Sequence, residues 1–179
     1  MNIPQVDFYL RKGGEWSIKT TRDIFGGKRS VLFLLPGAFT PTCSTQQLPG
    51  FEAAYDEIKS YGVDEVFCLS MNDAFVMNAW GESLGIEKVK LLPDGNGAFT
   101  TALKAAVAKE NLGFGIRAWR LALIIEANGE IAWAGVEEGQ RANAFDDPYE
   151  KSTPEAVLAA LRAFQLGEAM DAVAEEQSS

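Results

Sequence analysis

Residues 36–43, which read PGAFTPTC, combine the residue types that a thiol-based reaction needs. A run of branched apolar residues typical of a buried strand precedes them, and the pair Thr40-Pro41 is typical of a helix start. Cys43 would then lie in the first turn of that helix, where unpaired backbone N–H groups and the positive end of the helix dipole stabilise a thiolate. The pattern predicts a nucleophilic cysteine at residue 43.

Thr40 stands three residues before Cys43, so its hydroxyl can reach the N–H group or the sulfur of that residue. The same residues are compatible with an ordinary capped helix in which Cys43 is a small, inert apolar side chain. The local pattern leaves both interpretations open.

The content of histidine and cysteine narrows the possible chemistry. The chain contains no histidine, which excludes Ser/His/Asp and Cys/His pairs, zinc sites with histidine ligands and histidine acid–base catalysis. Its two cysteines, Cys43 and Cys68, lie 25 positions apart without a CxxC motif, so neither a disulfide-rich scaffold nor a dithiol site fits. A reaction at cysteine would therefore use one thiol.

The charge balance argues against two classes of partner. The formal net charge of −9 repels nucleic acid and anionic membrane surfaces. The longest aliphatic run is far shorter than the roughly 18 residues of a membrane span, and the first residues lack a basic-then-apolar secretion signal. We therefore expect a soluble, cytoplasmic protein that binds neither nucleic acid nor membrane.

The elements that must position Cys43 follow from hydrophobic patterning. The length fits one compact domain, predicted over residues 1–166, with an acidic tail over residues 167–179 that frays. Apolar segments on both sides of Lys12-Gly13-Gly14-Glu15 predict an N-terminal β-hairpin. Further strands are predicted at residues 30–35, 65–70, 89–92, 119–126 and 130–136, and helices at residues 40–62, 73–84, 98–109 and 152–165. This order predicts an α/β fold with a mixed central sheet and helices on both faces.

Two helices carry specific expectations. Pro49 lies inside the helix that begins at Thr40, where its missing N–H group and its ring should kink or split the helix near Leu48. The Ala-rich composition of residues 98–109 favours one continuous helix there.

The spacing PxxxTxxC, formed by Pro36, Thr40 and Cys43, resembles the active-site signature of the peroxiredoxins. The longer string PGAFTPTCS…LPGFE is similar to the type-five, or redoxin, branch of that family. Three further stretches agree in register, namely LSMNDAFVM at residues 69–77, LPDGNG at residues 92–97, and NLGFG at residues 111–115 leading to Arg120. The resemblance covers residues 3–165.

The resemblance implies a thioredoxin-like fold in which Cys43 is the peroxidatic cysteine. It also implies that Thr40 hydrogen-bonds the peroxide and the sulfur, that Pro36 shields the thiolate from solvent, and that Arg120 is the family's arginine. Such an arginine would stabilise the charge that develops on the peroxide oxygen. A hydroperoxide substrate, an external thiol reductant (glutathione with glutaredoxin, or thioredoxin) and a homodimer are implied as well, with no metal or organic cofactor.

The chain departs from the family at one position and leaves two assignments open, the role of Cys68 and the choice of the site arginine. Gln47 stands where many relatives carry a histidine, and its amide can exchange hydrogen bonds but cannot become charged. Cys68 lies in the middle of a predicted strand, where a buried filler is expected and a resolving role would need backbone movement. Arg120 could also be an ordinary charge at a strand end, and Arg117 is a second arginine nearby.

The function predicted from these observations is a one-cysteine peroxiredoxin in which Cys43 becomes a sulfenic acid and is restored by an external thiol. One alternative is a peroxide sensor or redox-regulated holdase of the same fold, in which oxidation of Cys43 changes the partners. A second alternative is a binding module of thioredoxin-like fold without redox chemistry.

Overall fold

The computed structural model describes residues 1–177. The strands are β1 Asp7–Lys12, β2 Glu15–Thr20, β3 Ser30–Leu34, β4 Glu65–Ser70, β5 Lys90–Pro93, β6 Ala106–Ala108, β7 Ile116–Ala118, β8 Leu121–Ile125 and β9 Ile131–Val136. The α-helices are α1 Thr21–Phe25, α2 Leu48–Ser60, α3 Ala74–Ser83, α4 Ala98–Ala102 and α5 Pro154–Gln177. The predicted N-terminal hairpin is confirmed as β1 and β2, joined at Gly13 and Gly14, which both adopt positive φ.

Five strands form the central sheet in the order β5-β4-β3-β8-β9. The β3–β4 and β4–β5 pairs are parallel, whereas β8 is antiparallel to both β3 and β9. Every residue of β3 and of β8 is buried, as expected for continuous apolar strands covered on both faces. The prediction of a mixed sheet is confirmed.

Helices cover both faces of this sheet, also as predicted. One face packs against α2, α3 and α5 through a cluster that includes Phe33, Cys43, Phe51, Trp80 and Leu161. The opposite face packs against the hairpin, α1 and α4 through a second cluster that includes Phe8, Phe25, Leu32, Phe99 and Leu123. Cys43 therefore belongs to the core between the sheet and α2.

The predicted helix over residues 98–109 is wrong, because α4 ends at Ala102. The chain turns at Lys104, which has φ of 62°, and then forms β6, which pairs with β7 in a separate two-stranded sheet. The helix propensity of alanine amounts to fractions of a kcal/mol per residue. Ala105 and Val107 are both buried, and the free energy gained by their burial outweighs this propensity. The short strand β7 was not predicted.

The last helix begins as predicted, since the Thr153 hydroxyl accepts a hydrogen bond from the N–H group of Ala156 at 3.1 Å. It continues to Gln177, beyond the predicted end near residue 165, so the tail expected to fray is helical up to that residue. Residues 178–179 of that predicted tail lie outside the described residues. Within residues 1–177, no helix is long and apolar enough to span a membrane.

Candidate active site

Cys43 lies at the start of the helical segment that leads into α2. Pro41 and Thr42 are helical, residues Cys43–Gln47 form a π-helical turn, and the N–H group of Leu48 donates to the carbonyl of Cys43. Pro49 has no N–H group to continue the regular ladder, which gives a reason for the wider turn just before it. The backbone remains helical throughout, and the predicted break at Leu48 is a change of hydrogen-bonding pattern.

The Thr40 side chain makes a different hydrogen bond from the predicted one. Its hydroxyl donates to the carbonyl of Gly37 at 2.7 Å, whereas its backbone carbonyl accepts from the N–H group of Ser44 at 3.0 Å. Among the hydrogen bonds of residues 1–177, none joins the Thr40 hydroxyl to Cys43. The hydrogen of the Thr40 hydroxyl is thus donated to the Gly37 carbonyl, and the hydroxyl oxygen can still accept a hydrogen bond.

Arg120 stands directly before β8 and extends into the core beside Cys43. Its Nη1 atom lies 3.5 Å from Cys43 Sγ and 2.5 Å from Gln47 Oε1, and its Nη2 atom lies 2.6 Å from Asp147 Oδ1. Arg120 is 2% exposed and Cys43 is 0% exposed. The structure therefore brings two sequence-predicted residues together at the π-helical turn.

The electrostatics of Arg120 reflect these neighbours. Burial by itself would lower the pKa of Arg120, but the charges of Cys43 and Asp147 outweigh burial and raise that pKa. The Tyr149 ring lies over the guanidinium at 5.7 Å. Burial, followed by the charge of Glu155, raises the pKa of Tyr149, while Arg120 opposes that change. The guanidinium thus stays charged, and the phenol beside it stays neutral.

Pro36 and Arg117 meet at the loop before Cys43. Arg117 Nη1 donates to the Pro36 carbonyl at 3.1 Å, and Arg117 Nε donates to the Phe114 carbonyl at 3.0 Å. A Cβ atom at Gly37 would collide with the Arg117 guanidinium, so a larger residue there would displace this side chain from its position beside Pro36. Burial lowers the pKa of Arg117, and the charge of Cys43 opposes this. Arg117, identified from sequence only as a second arginine nearby, therefore supports the loop.

Asn72 fixes the same loop from the other side. Its Oδ1 atom accepts from the N–H group of Ala38 at 3.0 Å and from the Ser70 hydroxyl at 2.6 Å. Phe39, which follows Ala38, is 58% exposed and adopts a φ of 63°, a strained backbone conformation for a residue with a Cβ atom. The surrounding hydrogen bonds hold this strained loop in place.

Cys68 occupies the middle of β4, where it pairs with Phe33 on one side and Leu91 on the other. It is 0% exposed. Burial raises the pKa of the Cys68 thiol well above its usual value, the charge of Cys43 raises it further, and Arg120 partly offsets both.

Sequence reasoning missed the contacts of Gln47, Asn72, Asp147 and Tyr149. No spacing rule links Asp147 or Tyr149 to Cys43, whereas Asn72 lay inside a stretch already noted as similar to the family.

Two buried nitrogens of the site, Gln47 Nε2 and Arg120 Nε, have no hydrogen-bond partner among the described residues. Within residues 1–177, no group of three or more His, Cys, Asp or Glu side chains could hold a metal ion.

A cysteine at a helix start, facing an arginine that directly precedes a strand of a mixed sheet, defines a thiol site on a thioredoxin-like scaffold. The Redoxin family model matches residues 4–149. A peroxiredoxin from Sinorhizobium fredii is 56% identical over 149 residues, which are 83% of this chain and 79% of that protein. The hybrid peroxiredoxin of Haemophilus influenzae is 42% identical, over 87% of this chain and 63% of its own length.

Among solved structures, the antioxidant protein of Plasmodium falciparum, described as a 1-Cys peroxiredoxin, superposes with a TM-score of 0.87 at 35% identity. That match covers 91% of this chain and 97% of the other. The fold is therefore thioredoxin-like, as the resemblance implied. The chain belongs to the peroxiredoxin family, in its type-five or redoxin branch, and has peroxidase function.

Proposed function

We propose that this protein reduces hydrogen peroxide and organic hydroperoxides through Cys43. The thiolate attacks one peroxide oxygen, the O–O bond breaks, and the other oxygen takes a proton and leaves as water or an alcohol. Cys43 is then a sulfenic acid. The observation that carries this proposal is the 3.5 Å contact between Arg120 Nη1 and Cys43 Sγ, two side chains that are both buried.

Three neighbours of Cys43 would each have a different role in this reaction. Arg120 would stabilise the negative charge that develops on the leaving oxygen, and burial strengthens that interaction. Thr40, whose hydroxyl hydrogen points to Gly37, would accept the hydrogen of the peroxide and so orient it. Pro36, held through its carbonyl by Arg117, would keep solvent away from the thiolate.

A one-cysteine mechanism accounts best for Cys68. Its raised pKa leaves little thiolate to attack a sulfenic acid, and both neighbouring strands hold its backbone in the sheet. A disulfide needs the two Cα atoms within about 7 Å and the Cβ atoms directed toward each other, which β4 could provide only by moving.

The oxidised Cys43 would be reduced by an external thiol, namely glutathione with glutaredoxin, or thioredoxin. Because Cys43 is 0% exposed, such a thiol can reach its sulfur only if the π-helical turn opens. The chain carries two unpaired cysteines, which fit a reducing compartment such as the cytoplasm. Reduction of Cys43 by a small thiol fits the same compartment. The homodimer is proposed from the resemblance to the family.

Steady-state consumption of hydrogen peroxide with excess glutathione and glutaredoxin tests turnover. We expect many peroxide molecules to be reduced per protein molecule, and thioredoxin with its reductase serves as the alternative reductant. A sensor would oxidise once and stall with every reductant, which would overturn the proposal in favour of that alternative.

Intact-protein mass spectrometry tests the one-cysteine mechanism. After stoichiometric peroxide without thiol we expect added oxygen, and with glutathione we expect the mass of a glutathione adduct. An internal Cys43–Cys68 bridge would instead remove two hydrogens. The Cys68→Ser protein is the matched control, because its products should be the same as those of the unmodified chain.

A further inference from the structure

The loop between β9 and α5, residues 137–153, crosses the outer side of the active site. It contributes two side chains to Arg120, the Asp147 carboxylate at 2.6 Å and the Tyr149 ring at 5.7 Å. Neither residue belongs to the motifs that identified the site in the sequence. The loop therefore completes the surroundings of the arginine.

Glu137 holds this loop in place. It is 2% exposed, and its Oε1 atom accepts hydrogen bonds of 2.7–2.9 Å from the N–H groups of Glu150, Lys151 and Ser152 and from the Ser152 hydroxyl. Hydrogen bonds to an ionised carboxylate are stronger than those between neutral groups. The backbone just beyond Asp147 is thus fixed to the end of β9 from inside the protein.

Arg120 needs such support because an arginine side chain has many rotamers, and ordering it in one of them costs conformational entropy. The guanidinium is planar, so contacts at two of its nitrogens determine both its position and its rotation. Gln47 accepts from Nη1 and Asp147 accepts from Nη2. The second hydrogen of Nη1 is then directed at Cys43 Sγ.

We propose that Asp147 is a positioning residue for peroxide reduction, which holds the Arg120 guanidinium in the orientation that faces Cys43. This inference rests on the proposed peroxidase function of Cys43. It assigns to the β9–α5 loop a part in the reaction, through a carboxylate that need not touch the peroxide.

Asp147 carries a negative charge, and its repulsion of a thiolate has to be weighed against its effect on Arg120. The Asp147 side chain is 45% exposed, so water screens its longer-range repulsion, whereas its direct contact with the buried guanidinium is short. Orientation of Arg120 therefore outweighs repulsion, and loss of Asp147 should slow the reaction.

The adjacent residue provides a matched control. Asp146 lies in the same loop and forms an ion pair with Arg141 at 2.9 Å, in which both side chains are 56% exposed. An exposed pair of this kind contributes little. Asp146→Asn therefore changes the same charge one position away without touching Arg120.

The experiment measures the second-order rate constant for oxidation of the reduced protein by hydrogen peroxide. We expect Asp147→Ala to lower it about tenfold and Asp147→Asn, which keeps an oxygen acceptor, about threefold, since a neutral acceptor is weaker than a charged one. Asp146→Asn should stay within about twofold.

A double-mutant cycle separates positioning from a structural role. If Asp147 acts through Arg120, adding Asp147→Ala to Arg120→Met should cause no further loss. An equal tenfold loss in that background, or an unchanged or faster single variant, would overturn the inference. Absence of peroxide reduction by the unsubstituted protein would instead refute the proposed function itself.

Discussion

Cys43 and Cys68 are both completely buried and belong to the same core cluster, yet their surroundings differ. Cys43 opens a π-helical turn and receives a hydrogen bond from Arg120. Cys68 is held between Phe33 and Leu91 of the neighbouring strands, and among the described residues no side chain donates a hydrogen bond to it.

Burial alone therefore does not decide whether a thiol reacts. Removal from water raises the pKa of a thiol, as it does for Cys68, and leaves the unreactive neutral form. A buried thiol becomes a candidate nucleophile where a cation and a helix start face the sulfur, as they do at Cys43. The chain thus contains one buried cysteine of each kind.

Removal of each thiol in turn should have the largest effect. Cys43→Ser should abolish peroxide reduction, because the remaining thiol, Cys68, is buried with a raised pKa, whereas Cys68→Ser should keep most of the activity. Steady-state peroxide consumption measures both. Similar losses in the two variants would show that both thiols take part.

The second prediction separates the two arginines near Cys43. Arg120→Met should lower the rate constant for peroxide on the order of 10² or more, because it removes the cation beside the sulfur. Arg117→Met should cost about tenfold or less, because Arg117 contacts the Pro36 carbonyl rather than the thiol. Stopped-flow measurement of peroxide oxidation gives both values, and the reverse ranking would mean that the wrong arginine has been assigned.

Cys43 follows a polar loop that contains Thr40, whereas Cys68 lies in the middle of a strand. Thr40→Val tests the contribution of this loop. We expect a decrease on the order of 10², since the substitution removes both the proposed acceptor for peroxide and the hydrogen bond to Gly37. Thr40→Ser keeps the hydroxyl and should recover most of the rate. A Val variant as fast as the Ser variant would exclude a role for the hydroxyl.

The smallest effect concerns the pH dependence of stability. Because the pKa of Cys68 is raised in the folded protein, the unfolded chain loses this proton first, and the free energy of unfolding falls as pH rises above about 8.5. The slope for one proton is about 1.4 kcal/mol per pH unit.

Urea unfolding between pH 7 and 10 would compare Cys43→Ser with the double variant that also carries Cys68→Ala. Only the Cys43→Ser protein keeps the Cys68 thiol. The difference in free energy of unfolding between this protein and the double variant should therefore narrow toward high pH. A constant difference would show that the Cys68 thiol ionises as easily in the folded protein as in the unfolded chain.

Local patterns in the sequence determined much of the fold and part of the site. The strand over Glu65–Ser70 was predicted with the same bounds, and the N-terminal hairpin followed from Gly13 and Gly14. The helix start that places Cys43 was readable because helix caps and strand periodicity depend on neighbours a few residues apart. The same local pattern predicted a nucleophilic thiol at Cys43, whereas the roles of Pro36, Thr40 and Arg120 toward a peroxide came from the resemblance. All of these roles stay proposals.

The side chains that surround Arg120 come from distant parts of the chain, and no local pattern predicted them. Gln47 lies 73 residues from it in the chain, and Asp147 lies 27 residues away in an irregular loop. The path of that loop depends on the buried Glu137 carboxylate, and β6 replaced the predicted end of a helix because burial outweighed local propensity. Sequence patterning encodes interactions between near neighbours, whereas contacts of this kind exist only after the whole sheet has folded.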